Sequence, residues 1–175
     1  MQLNLAGFKD RYEQWVEESL PDYRAGKMQE IVLKYPFVIS EDVPWTPYTG
    51  DPAAQTFAVI TTGGLYLKES QPPFDTESIH GDPSFREIPK QVRQQDLGIA
   101  HAHYDHSLAE EDFNTIFPIN RFRELEREGI LGNVVDTNYS FSYINNIVPL
   151  LTKSVPELLS HLKAKKVDVL FLVPV

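Results

Sequence analysis

The chain has 175 residues, 42% of them hydrophobic and 23% charged, which suits one soluble domain with a sizeable core. Its formal net charge of −9 argues against nucleic acid or an anionic membrane as the main partner, because neither phosphate surface would be neutralised. There is no cysteine, which excludes disulfides and thiolate metal ligands from these residues. Neither a secretory leader nor a membrane span is visible, so a cytoplasmic protein is expected.

Phe8, Tyr12, Trp15, Val16 and Leu20 recur at helical spacing and predict an amphipathic helix over about 5–20, ending at Pro21. A shorter helical pattern covers Lys27 to Lys34. Residues 36–55 hold Pro36, Pro44, Pro47 and Pro52 among aromatics. They read as a packed loop in which Phe37, Trp45 and Tyr48 seek burial. "TFAVITTGG" reads as a buried parallel strand running into a glycine turn. "QPPFDTESIHGDPSFREIP" lacks periodicity and reads as a long ordered loop suited to binding.

"DLGIAHAHYD" is a second strand candidate, and Ser107 with Glu110 predicts a capping box opening a helix after it. "PINRFRELEREGILG" predicts a helix from Pro118 to Gly129 with Phe122 and Leu125 inward, and "NVVDT" a short strand. Val155, Leu158, Leu159 and Leu162 form an apolar helical face, with His161 pointing elsewhere. The strongly apolar "VDVLFLVPV" reads as a buried strand. Strands alternating with helices predict an α/β fold. The expected architecture is a mostly parallel, Rossmann-like sheet flanked by helices and incomplete at its C-terminal side. It forms one domain over 1–175, with a helical and loop extension over about 1–55 and the sheet-forming part over about 56–175.

Three of the five histidines fall in "HAHYDH", His101 to His106. On a strand, His101, His103 and Asp105 would share one face, and a following turn would bring His106 round. One reading is a metal-dependent hydrolase, with zinc held by His101, His103, Asp105 and His106. Against it, a two-zinc site needs further downstream ligands, and only His161 remains after His106. A second reading is a polar strand-to-helix junction. The third, favoured here, places titratable groups at the carboxyl end of a parallel strand, where histidines orient or protonate an anionic substrate.

Other candidates each admit two readings. Thr61, Thr62, Gly63 and Gly64 either present backbone amides to a carboxylate or make a sharp turn. Asp82, Ser84 and Arg86 either bind a zwitterionic or anionic substrate, with Arg86 taking a carboxylate bidentately, or form a turn and an ion pair. Asp112, Asn114 and Arg121 read as ties between loop and helix.

Taken in order, "TTGGLYLKESQPPFD", "GDPSFREIP", "HYDHSLAEEDFNTIFPINRFRELEREGILG", "NYSFSYI" and "VDVLFLVPV" resemble the selenoprotein B family of glycine, sarcosine, betaine and D-proline reductases. The resemblance runs from Thr61 to Val175. It implies an oxidoreductase that cleaves a C–N bond reductively, by a selenolate or thiolate whose adduct a thiol partner resolves. It further implies a pyruvoyl-containing subunit and a small thiol or selenol carrier protein as partners, and leaves homo-oligomers open. In such proteins the nucleophile follows a Val-Pro-Val-like strand end. The expectation is therefore that selenocysteine (or cysteine) would follow Val175, that the chain stops at a UGA codon, and that these residues alone are inactive. A non-catalytic subunit offering the uncovered sheet at Val169–Val175 to a partner is the remaining alternative.

Overall fold

Strand β1 (Thr56–Thr61) is the centre of the molecule's larger unit, and its side chains alternate between two cores. Phe57 and Val59 face one cluster, Ala58 and Ile60 the other, as the two-residue period of a strand requires. A computed structural model describes residues 5–38, 45 and 47–175. It divides the chain into two compact units, Met1–Tyr48 and Thr49–Val175.

In the smaller unit, α1 (Leu5–Arg24) and α2 (Met28–Leu33) follow the expected patterns, with Phe8, Tyr12, Trp15 and Ile31 buried. Rings of Tyr12 and Trp15 pack with Tyr35, and the Trp15 indole donates to the Ile31 carbonyl at 2.9 Å. Pro21 does not end α1 as expected: the helix runs through it to Arg24, and the Ala25 amide closes the next turn on the Pro21 carbonyl. A proline removes one donor, and here the following turn still bonds. The expected burial of Phe37, Trp45 and Tyr48 is overturned, since they are 61%, 83% and 56% exposed. Pro36 and Pro47 have no N–H to donate, which limits the backbone bonds available beside Phe37 and Tyr48. The Phe37 ring packs edge-on against Tyr35. Pro44 lies outside the described residues.

The larger unit is α/β. Its mixed, mostly parallel sheet runs β3 (Arg86–Pro89), β6 (Thr137–Ser140), β1, with β5 (Asn133–Val134) and β7 (Val169–Val173) also on β1. β5, β6 and β7 run parallel to β1, and β3 runs antiparallel to β6. Phe57 pairs with both Val134 and Val169, and Ile60 with both Tyr139 and Leu172. β5 and β6 therefore share one edge of β1, and β7 takes the other. Between β5 and β6 the register slips by two residues, as a bulge does. Fully buried Asn138 bridges the slip, accepting from the Val59 amide at 2.8 Å and donating to the Val135 carbonyl at 3.0 Å.

Helix α4 (Ile119–Arg127) covers the Phe57/Val59 face through Phe122 and Leu125, and stops just before Gly129 as expected. The opposite face is covered by a run beginning at α5 (Ile147–Pro149), passing through a π turn (Leu150–Ser154) and continuing as α6 (Val155–Ala164). Pro156 has no N–H for the carbonyl one α-turn earlier, and the wider turn lies immediately before it. Leu158 and Leu162 are buried as expected, but Leu159 is not. His161, expected to point away, instead packs its ring near Phe85 and Tyr139, with Nδ1 3.2 Å from Glu87.

Three strand readings need correction. "DLGIAHAHYD" contains only β4 (Leu97–Ile99), which pairs antiparallel with β2 (Leu65–Leu67) in a separate two-stranded sheet. β2 offers three residues, so pairing ends before the histidines. "QPPFDTESIHGDPSFREIP" ends in β3 rather than remaining loop. β7 is not buried: Leu170, Phe171 and Leu172 are exposed along an edge strand. An apolar run specifies a strand without distinguishing centre from edge.

Candidate functional site

The carboxyl ends of β1, β6 and β7 lie side by side, through the pairs Thr61–Ser140 and Thr61–Val173. Past these ends the chain is closely knitted. Gly64 donates to the Phe141 carbonyl and accepts from the Ala100 amide, both at 2.8 Å, and Ser142 Oγ donates to the Ala100 carbonyl at 2.7 Å. Gly64 has φ +72°, and a Cβ there would stand 2.5 Å from the Ala100 oxygen, so only glycine allows this approach. The histidines thus reach the end of the parallel sheet although their own strand is not part of it.

The amides considered for carboxylate binding already donate within the chain. Thr62 N–H donates to Val173, Gly63 N–H to Thr61 Oγ1 and Gly64 N–H to Phe141. Thr62 Oγ1 accepts from the Val175 amide at 2.9 Å. The geometry gives this segment the turn and close-approach role.

His101 is buried, and its Nδ1 accepts from the His103 amide at 3.2 Å, which fixes a neutral ring with its proton on Nε2. Burial, followed by neighbouring His103 and His106, pushes its pKa down to about 4. Burial also lowers that of His103. His106 Nε2 lies 2.6 Å from the His101 carbonyl and donates to it. The rings continue as an aromatic cluster: His103 lies 4.0 Å from Tyr143, His101 5.0 Å from Tyr104, and Tyr104 4.5 Å from His106, centroid to centroid. Tyr104 donates to the Gly63 carbonyl at 2.9 Å, and burial with nearby Glu110 pushes its phenol up to about 12.

The four residues of the metal reading do not converge. Asp105 accepts from the Ser107 amide, whose bond and that of the Ser107 hydroxyl hold its carboxyl below the usual range. Asp105 thus satisfies the first amide of α3 (Ser107–Glu111), whose N-cap position is His106 without a side-chain bond, and the capping box expected from Ser107 is not formed. Among the described residues, no group of three His, Asp or Glu is placed to hold a metal ion.

Asp82, Ser84 and Arg86 do come together. Arg86 Nε donates to Pro72, one terminal nitrogen to Ser84 Oγ and the Phe85 carbonyl, the other to Pro73 and Asp82. All five guanidinium donors are matched, and the plane lies 4.1 Å over the Phe74 ring. Asp82 accepts from the Ser84 amide and hydroxyl and from the Asp75 amide. Burial works to raise its pKa, but these bonds and the Arg86 charge outweigh it and hold the carboxyl low. Arg86 therefore clasps the loop and leaves no fork open for a carboxylate. Asp112 ties the Asn114 amide, and Asn114 in turn the Asn120 amide; Arg121 pairs with Glu124.

Residue-by-residue reading missed Tyr143, Ser142 and Asn145, although all three lie in or beside "NYSFSYI". Asn145 donates to the Ile79 carbonyl at 2.8 Å and to the Tyr143 hydroxyl. The available signal was that an aromatic motif followed a strand, placing a ring at the sheet's carboxyl end.

A family model for glycine/sarcosine/betaine reductase selenoprotein B matches residues 27–174. The chain belongs to this family. D-proline reductase subunit gamma of Acetoanaerobium sticklandii is 30% identical over 129 residues, 73% of this chain and 52% of the relative. Glycine reductase complex component B subunit gamma of Carboxydothermus hydrogenoformans is 26% identical over 148 residues, 83% of this chain and 34% of the relative. Sarcosine reductase complex component B subunit beta of Peptoclostridium acidaminophilum is 25% identical over 110 residues, 62% of this chain and 25% of the relative. This selenoprotein B relative therefore spans about half the length of the first of these proteins and about a third of the second. No solved structure matches the chain. The relatives are named as subunits of reductases, and no described helix here is long and apolar enough to cross a membrane.

Proposed function

We propose that this chain forms the α/β core of a reductase subunit that cleaves the C–N bond of a small amino-acid-type substrate. In this reading a selenolate or thiolate attacks the carbon bearing nitrogen. A carbon–chalcogen bond forms, the C–N bond breaks, and the amine leaves with the bonding pair and takes up a proton. Thiol attack then releases the reduced carbon, which gains a proton, and a second thiol completes a disulfide. Two thiols are oxidised as one carbon is reduced. The 175 residues contain no cysteine or selenocysteine, so the nucleophile would come from residues outside them. Partner subunits follow from the same reading: one bearing a pyruvoyl group to hold the amine, and a small thiol or selenol carrier to receive the product.

The observation that carries the reading, beyond family membership, is the convergence of three strand ends at His101, His103 and Tyr143, where α/β folds place ligands. His101, pushed down to about 4, stays neutral near pH 7. Neutral imidazoles here would orient a substrate by hydrogen bonds rather than supply a protonated acid. The test is to express the complete reading frame containing this chain, purify it with its co-purifying subunits, and supply a dithiol. Amine release from glycine, sarcosine or betaine, or ring opening of D-proline, is expected, with a loss of about tenfold or more in His103→Ala. Failure of the assembled complex to consume any of the four substrates would sink the reading.

A further inference from the structure

Tyr143 stands beyond the end of β6, outside the regular ladder, yet its ring meets His103 at 4.0 Å with an interplanar angle of 69°. It also lies 6.4 Å from the His101 ring. A tyrosine on irregular backbone has two side-chain torsions to spend, so a fixed ring needs a partner at its far end.

The backbone beneath the ring is held by the loop that precedes Arg86. The Asp82 amide donates to the Tyr143 carbonyl at 3.0 Å, and Gly81 bridges to Ile144. Gly81 has φ +69°, and a Cβ there would run into the Tyr143 carbonyl. The ring itself is held through Asn145, a buried amide. Its Nδ2 donates to the Ile79 carbonyl at 2.8 Å and to the Tyr143 hydroxyl. A carbonyl can only accept, so the group facing Ile79 must be the NH2, which orients the amide. The backbone amides of Asn145 and Asn146 both donate to the His80 carbonyl at 3.0 Å. Asn145 is therefore tied to this loop through main chain and side chain together, and Ile79 is itself buried.

We propose that Asn145 is a positioning residue: its amide pins the Tyr143 ring against His103 and ties that ring to the Ile79–Asp82 loop. Asn145 acts through Tyr143 and does not reach the imidazole. The pinned ring covers one side of His103 and keeps water from it, in line with the lowered pKa that burial gives this histidine. The bearing on catalysis rests on the reductase reading; the placement of the ring does not.

The experiment is an NMR titration of the His103 imidazole in the chain, wild type against Asn145→Leu, Tyr143→Phe and the double variant. Leucine keeps the volume of asparagine and removes its donors; phenylalanine keeps the ring and removes the hydroxyl. Each single variant is expected to move the His103 pKa upward, towards its ordinary 6.5. In the Tyr143→Phe background, Asn145→Leu should add little, because the ring is already unpinned. An equal effect of Asn145→Leu in both backgrounds would show that it merely supports the loop, and overturns the proposal. If Asn145→Leu fails to fold, Tyr143→Phe alone decides: an unchanged His103 titration overturns it. In the assembled complex Asn145→Leu is expected to lower kcat about tenfold with KM changed less than about twofold. Unchanged kcat despite a shifted His103 overturns the role in the reaction. A complex that reduces none of the four substrates, with the titration cycle as expected, keeps the positioning role and ends the reductase reading.

Discussion

The Asp82–Arg86 loop and the His101–His106 segment are both rich in ionisable groups and flank the same end of the sheet, yet they handle charge in opposite ways. In the loop, a full cation and a full anion persist because each is saturated with hydrogen bonds. In the histidine segment, burial removes the charge: His101 is pushed down to about 4, and its ring bonds as a neutral acceptor. Density of polar residues in a sequence therefore does not separate a clamp from a neutral aromatic cluster. The partners that decide between them are backbone carbonyls in one case and tyrosine rings in the other.

The comparison is tested most severely at Arg86. Arg86→Met removes one partner of a nearly buried pair and strands Asp82 together with the Pro72, Pro73 and Phe85 carbonyls. The expected loss is about 3 kcal/mol in urea unfolding. Arg86→Lys retains the charge but not the fork and should recover less than half of that loss. Full recovery by lysine would show that charge alone holds the loop and that the five-donor geometry is incidental.

Much of the fold was legible because burial imposes periods. The stripe Phe8, Tyr12, Trp15 predicted α1, "TFAVIT" predicted β1, and Phe122 with Leu125 predicted the inward face of α4. What escaped depends on partners distant in the chain. β4 stops at Ile99 because β2 offers three residues, and β7 is exposed because β1 is its only described neighbour in the sheet. The two-residue slip bridged by Asn138 leaves no mark in local pattern. At the site, sequence brought Asp82, Ser84 and Arg86 together correctly as a group. It could not reveal that loop carbonyls would occupy Arg86, nor that Tyr143 would cover His103.

The histidine side of the comparison predicts a pH dependence. His101 has a folded pKa of about 4 against an ordinary 6.5, so the unfolded state binds more protons between these values. Stability then rises with pH across that window: its full benefit is present above about 6.5 and is lost as pH falls towards 4. Allowing for residual solvent, the loss is on the order of 2 kcal/mol. Urea midpoints at pH 7 and pH 4.5 should differ less in His101→Asn, whose amide oxygen replaces the Nδ1 acceptor without titrating. An unchanged difference would mean that other groups carry the dependence and that His101 is not held neutral by burial.

Tyr104 gives the smallest effect and the sharpest control, because it joins the histidine segment to the β1 turn without titrating in the same range. Its phenol, pushed up to about 12, donates to the Gly63 carbonyl at 2.9 Å. A raised phenol pKa means that this contribution is constant below about pH 10 and lost only above it. Tyr104→Phe keeps the ring against His101 and His106 and removes one hydrogen bond. The expected loss is about 1 kcal/mol, equal at pH 5 and pH 8. If Tyr104→Phe instead changes the slope between those pH values, the hydroxyl is coupled to the imidazoles. The segment would then be a proton-linked network rather than a packed cluster that burial keeps neutral.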